Sequence, residues 1–145
     1  MFQKVKGRSN IALVGVTTDG DVFGGFYSVA VTEQEKYFYD PDIFAFSFES
    51  RGRRATPQRF VMDATERLKE WACVRFCKNS SNTGFVSFGV DYTGSFRLGN
   101  ERSKSYSFHM SRAFDGVEDT TLTGKDGGFI GPYHHCSSLV AVQLE

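Results

Sequence analysis

The sequence contains one set of residues with the chemistry of a metal site. Cys73, Cys77 and the run His134-His135-Cys136 offer the sulfur and nitrogen ligands that zinc prefers. Residues 71–77 alternate as a strand does, however, and positions four apart on a strand lie about 13 Å apart. One ion cannot bridge Cys73 and Cys77 in that geometry. We therefore predict no metal and no other cofactor, and interpret the cysteines as small packing residues; redox sensing by an exposed thiol is the alternative.

Motifs for covalent catalysis and for phosphate binding are incomplete. Cys136 and His109 are the residue types of a thiol–imidazole pair, but no flanking signature or orienting acid accompanies them. Gly124-Lys125 lacks the upstream spacing of a P-loop and is followed by Asp126 in place of Ser or Thr. Gly24-Gly25 lies within a strand pattern and opens no helix, which argues against a dinucleotide fingerprint. The sequence therefore predicts no catalytic residues.

Positive charge is concentrated in two stretches of the chain. Together they contain the seven predicted partner-binding residues Lys4, Lys6, Arg8, Arg51, Arg53, Arg54 and Arg59. If folding joins the two stretches, they form a face for phosphate groups or for an acidic protein surface. A solvated loop that only aids solubility is the alternative. Nucleic acid would also require base-reading or stacking groups in a groove, and 17 Lys and Arg are balanced by 17 Asp and Glu.

The composition indicates which scaffold must position these residues. A length of 145 residues is typical of one domain. Fifteen Phe and six Tyr accompany fifteen Gly and three Pro, and aromatic residues suit pleated sheets while glycines supply turns and bulges. The balance favours a mainly β domain over a helical one.

Targeting signals and cysteine usage bear on the compartment. No run approaches the roughly 20 apolar residues that span a bilayer, and the N-terminus lacks the apolar core of a secretory signal. Three cysteines are too few, and odd in number, for a disulfide framework. We therefore expect a cytoplasmic or nucleocytoplasmic protein with reduced thiols and no insertion into a membrane.

Two segments give the clearest strand patterns. Residues 10–31 read as a hairpin around Thr18-Asp19-Gly20-Asp21, and Gly24-Gly25 within its second strand indicates a bulge or the close approach of another backbone. In Ile43–Glu49, Phe44, Phe46 and Phe48 share one face, which predicts a core stripe on a central strand.

The remaining elements are shorter. A capping box at Thr32 and Glu35 predicts a short helix or turn over 33–38, and Asp63 with Glu66 predicts another helix over 63–69. We further expect a basic connection over 50–59, a strand at 71–77, a hairpin from 85–90 and 95–98, a strand at 106–110, a surface loop over 111–136 and a core-closing strand at 138–144. Short strands with closely spaced turns favour two packed sheets.

Four motifs follow one another in a distinctive order. Val22-Phe23-Gly24-Gly25-Phe26 lies on the second strand of the first hairpin, and Asp40 precedes the strand Phe44-Ala45-Phe46-Ser47-Phe48. The later hairpin FVSFGVD…SFRLGN and the closing strand SLVAVQLE complete the set. In order and approximate spacing, across nearly the whole chain, these motifs resemble the TLDc family.

The resemblance implies a fold and a role. It implies a β-sandwich of two antiparallel sheets flanked by short helices, and a part in resistance to oxidative stress. Some members bind the vacuolar proton-pumping ATPase, so its subunits are the implied protein partners. The family has no agreed catalytic residues. We therefore expect a non-enzymatic protein-interaction module; a stress-responsive DNA-binding regulatory protein that uses the basic residues is the alternative.

The chain departs from the family at its start and in its basic, loop-rich middle. TLDc domains usually begin with a further strand and helix, whereas residues 2–7 correspond to a point inside that region. Residues 1–145 therefore resemble a single domain of the short, amoebal type that lacks this strand and helix, or a fragment of a longer protein. A missing edge element would expose a strand edge to self-association or to a partner.

Overall fold

Alternating apolar residues pair into two antiparallel sheets that pack face to face in the computed structural model. The structure describes residues 1–51, 56–78, 85–90, 94–99, 106–118, 120–122 and 136–145. Rings from one sheet lie against Gly25 of the other, and the Tyr27 and Phe76 ring centroids are 5.8 Å apart across the interface. The predicted mainly β sandwich, flanked by short helices, is confirmed.

Ten strands are present in the described residues. In chain order they are β1 (Ile11–Thr17), β2 (Val22–Tyr27), β3 (Phe38–Tyr39), β4 (Phe44–Glu49), β5 (Gln58–Val61), β6 (Cys73–Phe76), β7 (Val86–Val90), β8 (Gly94–Leu98), β9 (Tyr106–Phe108) and β10 (Cys136–Gln143). Sheet I has the order β10-β1-β2-β4-β5 and sheet II the order β3-β6-β7-β8-β9. The helical elements are α1 (Phe2–Val5) and two 3₁₀ turns at Glu66–Leu68 and Met110–Arg112.

The predicted hairpins are present. β1 pairs with β2 from Ile11↔Tyr27 to Val16↔Val22, and the turn is closed by the Thr17 N–H, which donates to the Asp21 carbonyl at 2.9 Å. β7 pairs with β8 in the second hairpin. The closing strand is also present as β10, although it lies at the edge of sheet I beside β1.

Gly24 and Gly25 mark a close approach on both faces of β2. A Cβ atom on Gly25 would lie 2.6 Å from Phe96 and 2.7 Å from Phe88, two stacked rings of sheet II. A Cβ atom on Gly24 would lie 2.6 Å from Phe46, on the opposite face. The neighbours are therefore aromatic side chains on both faces, and on the Gly24 side also the Leu13 carbonyl.

The prediction that Phe44, Phe46 and Phe48 form a core stripe was wrong. Adjacent residues on a strand point to opposite faces, and Phe46 lies over Gly24 while sheet II covers Gly25. The phenylalanine row therefore lies on the outer face of sheet I, and the small residues Ala45 and Ser47 face sheet II. β4 is also second from the edge of its sheet, where β2 is central.

A buried carboxylate joins β2 to the start of β4. Asp40 is fully buried, and its side chain accepts hydrogen bonds from the Ser28 backbone N–H and from the Ser28 hydroxyl at 2.8 Å. Its Oδ1 also accepts from the Asp42 N–H at 3.0 Å. These bonds fix the chain direction into β4, since a buried carboxylate without partners is strongly destabilising.

The segment 33–38 bends at Gln34 and Glu35 but contains no helix, so the helical form of the capping-box prediction was wrong. Glu35 has a φ of 64°, in the left-handed region, and its N–H donates to the Phe76 carbonyl at 2.8 Å. Its carboxylate accepts from the Lys78 N–H and from the Arg75 guanidinium. Tertiary bonds to β6 and the residues after it therefore replace the local capping bonds.

The segment 111–136 is not a surface loop throughout its described part. Ala113, Phe114, Val117 and Leu122 are buried in the core, where the Phe114 ring packs 5.9 Å from that of Phe96 and the Phe114 backbone forms a bridge to Met62 after β5. Two elements were also missed: α1, which buries Phe2 and Val5, and β5, which begins within the stretch 50–59 that was expected to be a connection. The helix predicted over 63–69 is one 3₁₀ turn, whose start is capped by Asp63.

Replacing Gly25 with alanine should destabilise the sandwich by about 1–3 kcal/mol, because the added methyl group overlaps two rings. The free energy of unfolding in urea measures this. Replacing one ring with a smaller side chain supplies the control. The loss of unfolding free energy caused by Gly25→Ala should be smaller in a Phe88→Leu background than in the wild type. Equal costs in the two backgrounds would show that the rings do not limit this position.

Glu35 should make stability depend on acid pH. The hydrogen bond from the Lys78 backbone lowers the pKa of its carboxyl below the ordinary 4.5, and Arg75 lowers it further, against partial desolvation. The stabilisation is therefore present above the unfolded pKa and lost as the pH falls through the lower folded pKa. Between about pH 5 and pH 3, unfolding free energy should fall less steeply in Glu35→Gln than in wild type. The exposed Glu33→Gln variant is the control and should follow the wild type.

Candidate interaction surfaces

Four phenylalanine rings form a continuous row on the outer face of sheet I. Phe26 of β2 stacks on Phe44 of β4 with 4.7 Å between ring centroids. The row continues along β4, with 6.3 Å from Phe44 to Phe46 and 5.0 Å from Phe46 to Phe48. Phe48 is 55% exposed and is the extra residue of a β-bulge, since Ser47 pairs with Phe23 and Glu49 with Val22. The bulge directs the last ring of the row into solvent.

Aliphatic side chains continue this face across β1 and β10. Val140 and Val142 of β10 are 49% and 44% exposed, and they pair with Val14 and Ala12 of β1. Between them and the rings lies an open groove of about 460 Å³. We call this surface the outer face; its residues are Ala12, Val14, Phe26, Phe44, Phe46, Phe48, Pro57, Gln58, Arg59, Val140, Val142 and Leu144. A solvated antiparallel sheet usually presents polar residues on its open side, so an apolar one indicates an interaction surface.

One cation lies at the rim of the outer face. The Arg59 guanidinium lies over the Phe44 ring, 3.9 Å from its centroid, because β5 pairs with β4 and places Arg59 beside Phe46. Among the described residues that line the groove, Arg59 alone carries a charge. The site is therefore complementary to an apolar surface that also presents a carboxylate.

The other predicted basic residues lie apart from one another. Lys4, Lys6 and Arg8 belong to α1 and the turn after it, and Arg8 donates to the Gln143 Oε1 at 3.0 Å, beside the start of β1. Arg51 pairs with Asp21 at 3.4 Å, where β2 begins. The structure thus places these two groups at opposite ends of sheet I, and it does not bring them together. Arg53 and Arg54 lie outside the described residues.

The described cysteines are packed in the interior. Burial raises the pKa of the Cys73 thiol to about 12, so little thiolate forms near neutral pH. Cys136 is fully buried, and its Sγ lies 2.8 Å from the position that a Cβ atom on Gly15 would occupy. The structure therefore gives these thiols a packing role, while His134 and His135 lie outside the described residues.

The described part of the chain contains neither a candidate metal cluster nor a membrane-spanning helix. No group of three or more His, Cys, Asp or Glu residues is arranged there to hold a metal ion. His109 adopts a left-handed φ of 48° ahead of the 3₁₀ turn Met110–Arg112. None of the described helices is long and apolar enough to cross a membrane.

Sequence reasoning missed the outer face because it assigned the largest apolar residues of β4 to the interior. A signal for the true orientation is present in the neighbouring strand. Gly25 and Ala45 pair with each other and leave room for Phe88 and Phe96 of sheet II. Small residues on one sheet complement large ones on the other, so the small side of β4 is the buried side.

Comparisons with known proteins give no assignment. The chain matches no protein-family model, and no curated protein matches it in sequence.

Exposed residues of the outer face should contribute little to folding. The double variant Phe48→Ser and Val142→Ser should lose about 1 kcal/mol or less of unfolding free energy, because Phe48 is 55% and Val142 44% exposed and both lie outside the core. It should also bind less of the hydrophobic dye anilinonaphthalene sulfonate, which we expect to label the native protein. Phe96→Ala, in the core, should lose about 3–5 kcal/mol. Comparable losses in the two variants would contradict this assignment of the faces.

Proposed function

We propose that this chain is a non-enzymatic protein-interaction module of the TLDc type, which acts in the oxidative-stress response by binding a protein partner through the outer face. Subunits of the vacuolar proton-pumping ATPase are the partners that the resemblance implies. The observation that carries the proposal is the apolar outer face, where Phe48, Val140 and Val142 are 44–55% exposed, because an apolar surface outside the core indicates an interaction site.

The residues that form the row are also residues that carry the resemblance. Phe26 ends the glycine-containing motif of β2, and Phe44, Phe46 and Phe48 are the phenylalanines of the β4 motif. Gly24 of the same motif leaves the space in which the Phe46 ring lies. These motifs therefore build a surface as well as a fold, which supports a binding role for them.

The shape and charge of the outer face favour an amphipathic helix of the partner. Sheet I is covered on one face by sheet II, and a helix that packs its apolar stripe on the other face would add a third layer. The groove between the phenylalanine row and Val142 would receive that stripe, with Phe48 and Val142 as exposed anchors on its two sides. A carboxylate at the edge of the stripe would pair with Arg59, whose guanidinium is already held on Phe44.

Direct binding to named partners tests this proposal. The wild-type chain is captured from peroxide-treated cells, recovered proteins are identified, and each candidate, together with purified peripheral subunits of the vacuolar ATPase, is titrated against the purified chain. We expect a specific partner whose affinity falls about thirtyfold or more in the Phe48→Asp and Val142→Asp double variant, since both anchors become charged.

Leu68→Asp is the matched control. Leu68 is 74% exposed but lies on the 3₁₀ turn Glu66–Leu68, outside the outer face, so its substitution should leave the affinity unchanged. Loss of binding in this control, or a partner whose affinity is the same for the double variant and the wild type, contradicts the proposal.

Binding to DNA would also contradict it, if the affinity falls steeply with salt and is weakened by Arg51→Ala, Arg53→Ala and Arg54→Ala together. That result would favour the DNA-binding alternative.

A further inference from the structure

We infer that the edge of β10 that no other described strand pairs with, together with α1, forms a second binding site that takes an extended acidic segment of a protein partner as an added strand. This site goes beyond the proposed function, because it uses the edge of sheet I and not its outer face. Three observations support the site: alternate backbone groups of β10 point away from β1, a groove lies beside this strand, and the groove is positively charged.

The alternation of hydrogen bonds along β1 shows which backbone groups of β10 bond to β1 and which point away from it. The Thr17 N–H donates to the Asp21 carbonyl, so odd-numbered residues of β1 bond to β2 and even-numbered ones to β10. Val140 pairs with Val14, and the Leu144 N–H donates to the Asn10 carbonyl at 2.8 Å. The N–H and C=O groups of Leu139 and Ala141 therefore point away from β1. In the described part of the chain, β1 is the one neighbour of β10.

A groove of about 300 Å³ runs between this edge and α1. Its apolar floor includes the buried Val5 and Ile11, and Leu139 and Ala141 line its other side. When an extended peptide adds a strand to a sheet edge, backbone hydrogen bonds give affinity and a pocket for alternate side chains gives specificity. An edge strand beside a groove can supply both. A partner strand paired with Leu139 and Ala141 would direct every second side chain into this groove.

The groove is positively charged and selects an acidic strand. Lys4 and Arg8 line it, and none of the other described residues that line it is acidic. Arg8 uses one N–H on Gln143, and a guanidinium has further donors for a carboxylate. A second copy is a poorer match, because Cys136–Gln143 contains no charged residue to meet Lys4 and Arg8.

The sequence of β10 also lacks the residue types that usually protect an edge. Natural edges carry charged residues or proline, or are shortened, to prevent unplanned pairing. The eight residues of β10 contain none of these charges and no proline. An edge of this length, with its cations supplied by α1 alongside, is suited to a partner strand of opposite charge.

A fluorescent nine-residue peptide of alternating valine and glutamate is the probe, and fluorescence anisotropy measures its binding to the full chain. Alternating valine and lysine is the control peptide and should not bind. Lys4→Glu combined with Arg8→Glu should weaken binding of the acidic peptide by about tenfold or more, because two ion pairs become repulsive. Lys6→Glu is the matched control, since Lys6 is exposed on the same segment but does not line the groove. Its effect should be under about twofold.

Ala141→Pro tests the backbone bonds. It removes an N–H that points away from β1, so the ladder to β1 is kept while the bond to the added strand is lost. Phe48→Asp should leave peptide binding unchanged, which separates this site from the outer face. Equal weakening by Lys6→Glu, or full binding by Ala141→Pro when circular dichroism shows it folded, overturns the inference. So does self-association of the chain that the acidic peptide does not displace.

Discussion

The architecture depends on one constraint, the absence of side chains at two adjacent positions of the central strand of sheet I. Gly24 and Gly25 point to opposite faces of β2, and each leaves space that aromatic rings fill. On the inner side the rings are Phe88 and Phe96, which stack 4.7 Å apart. On the outer side the ring is Phe46. The rings on both faces therefore approach the β2 backbone more closely than any residue other than glycine at these two positions would allow.

This constraint also sets the orientation of β4. Because Phe88 and Phe96 occupy the space above Gly25, its paired neighbour Ala45 faces inward with a small side chain. The phenylalanines of β4 must then lie on the other side, where sheet II does not cover them. The position of the row on the outer face is thus a consequence of how the interior is filled, since close packing leaves no room for three more rings inside.

The strands of the sandwich could be predicted from local patterns, but which face of a strand is buried could not. Alternation shows that Phe44 and Phe46 share a face, and turn residues locate the hairpins, because both signals lie within a few residues. Which face is buried depends on Phe88 and Phe96, which are more than 40 residues away in the chain. Short elements such as α1 and β5 are too brief to show a period. Glu35 shows the opposite failure, since its local capping signal is overridden by bonds to Arg75 and Lys78.

An aromatic row on an outer face is suited to binding when its rings are already ordered, and here they are. Phe46 lies against the Gly24 backbone, Phe26 stacks on Phe44, and Arg59 covers the other part of Phe44 at 3.9 Å. Rings held in this way lose little conformational freedom when a partner docks, so more of the interaction energy appears as affinity. The glycine that allows Phe46 to lie close to β2 therefore contributes to the binding surface as well as to the fold.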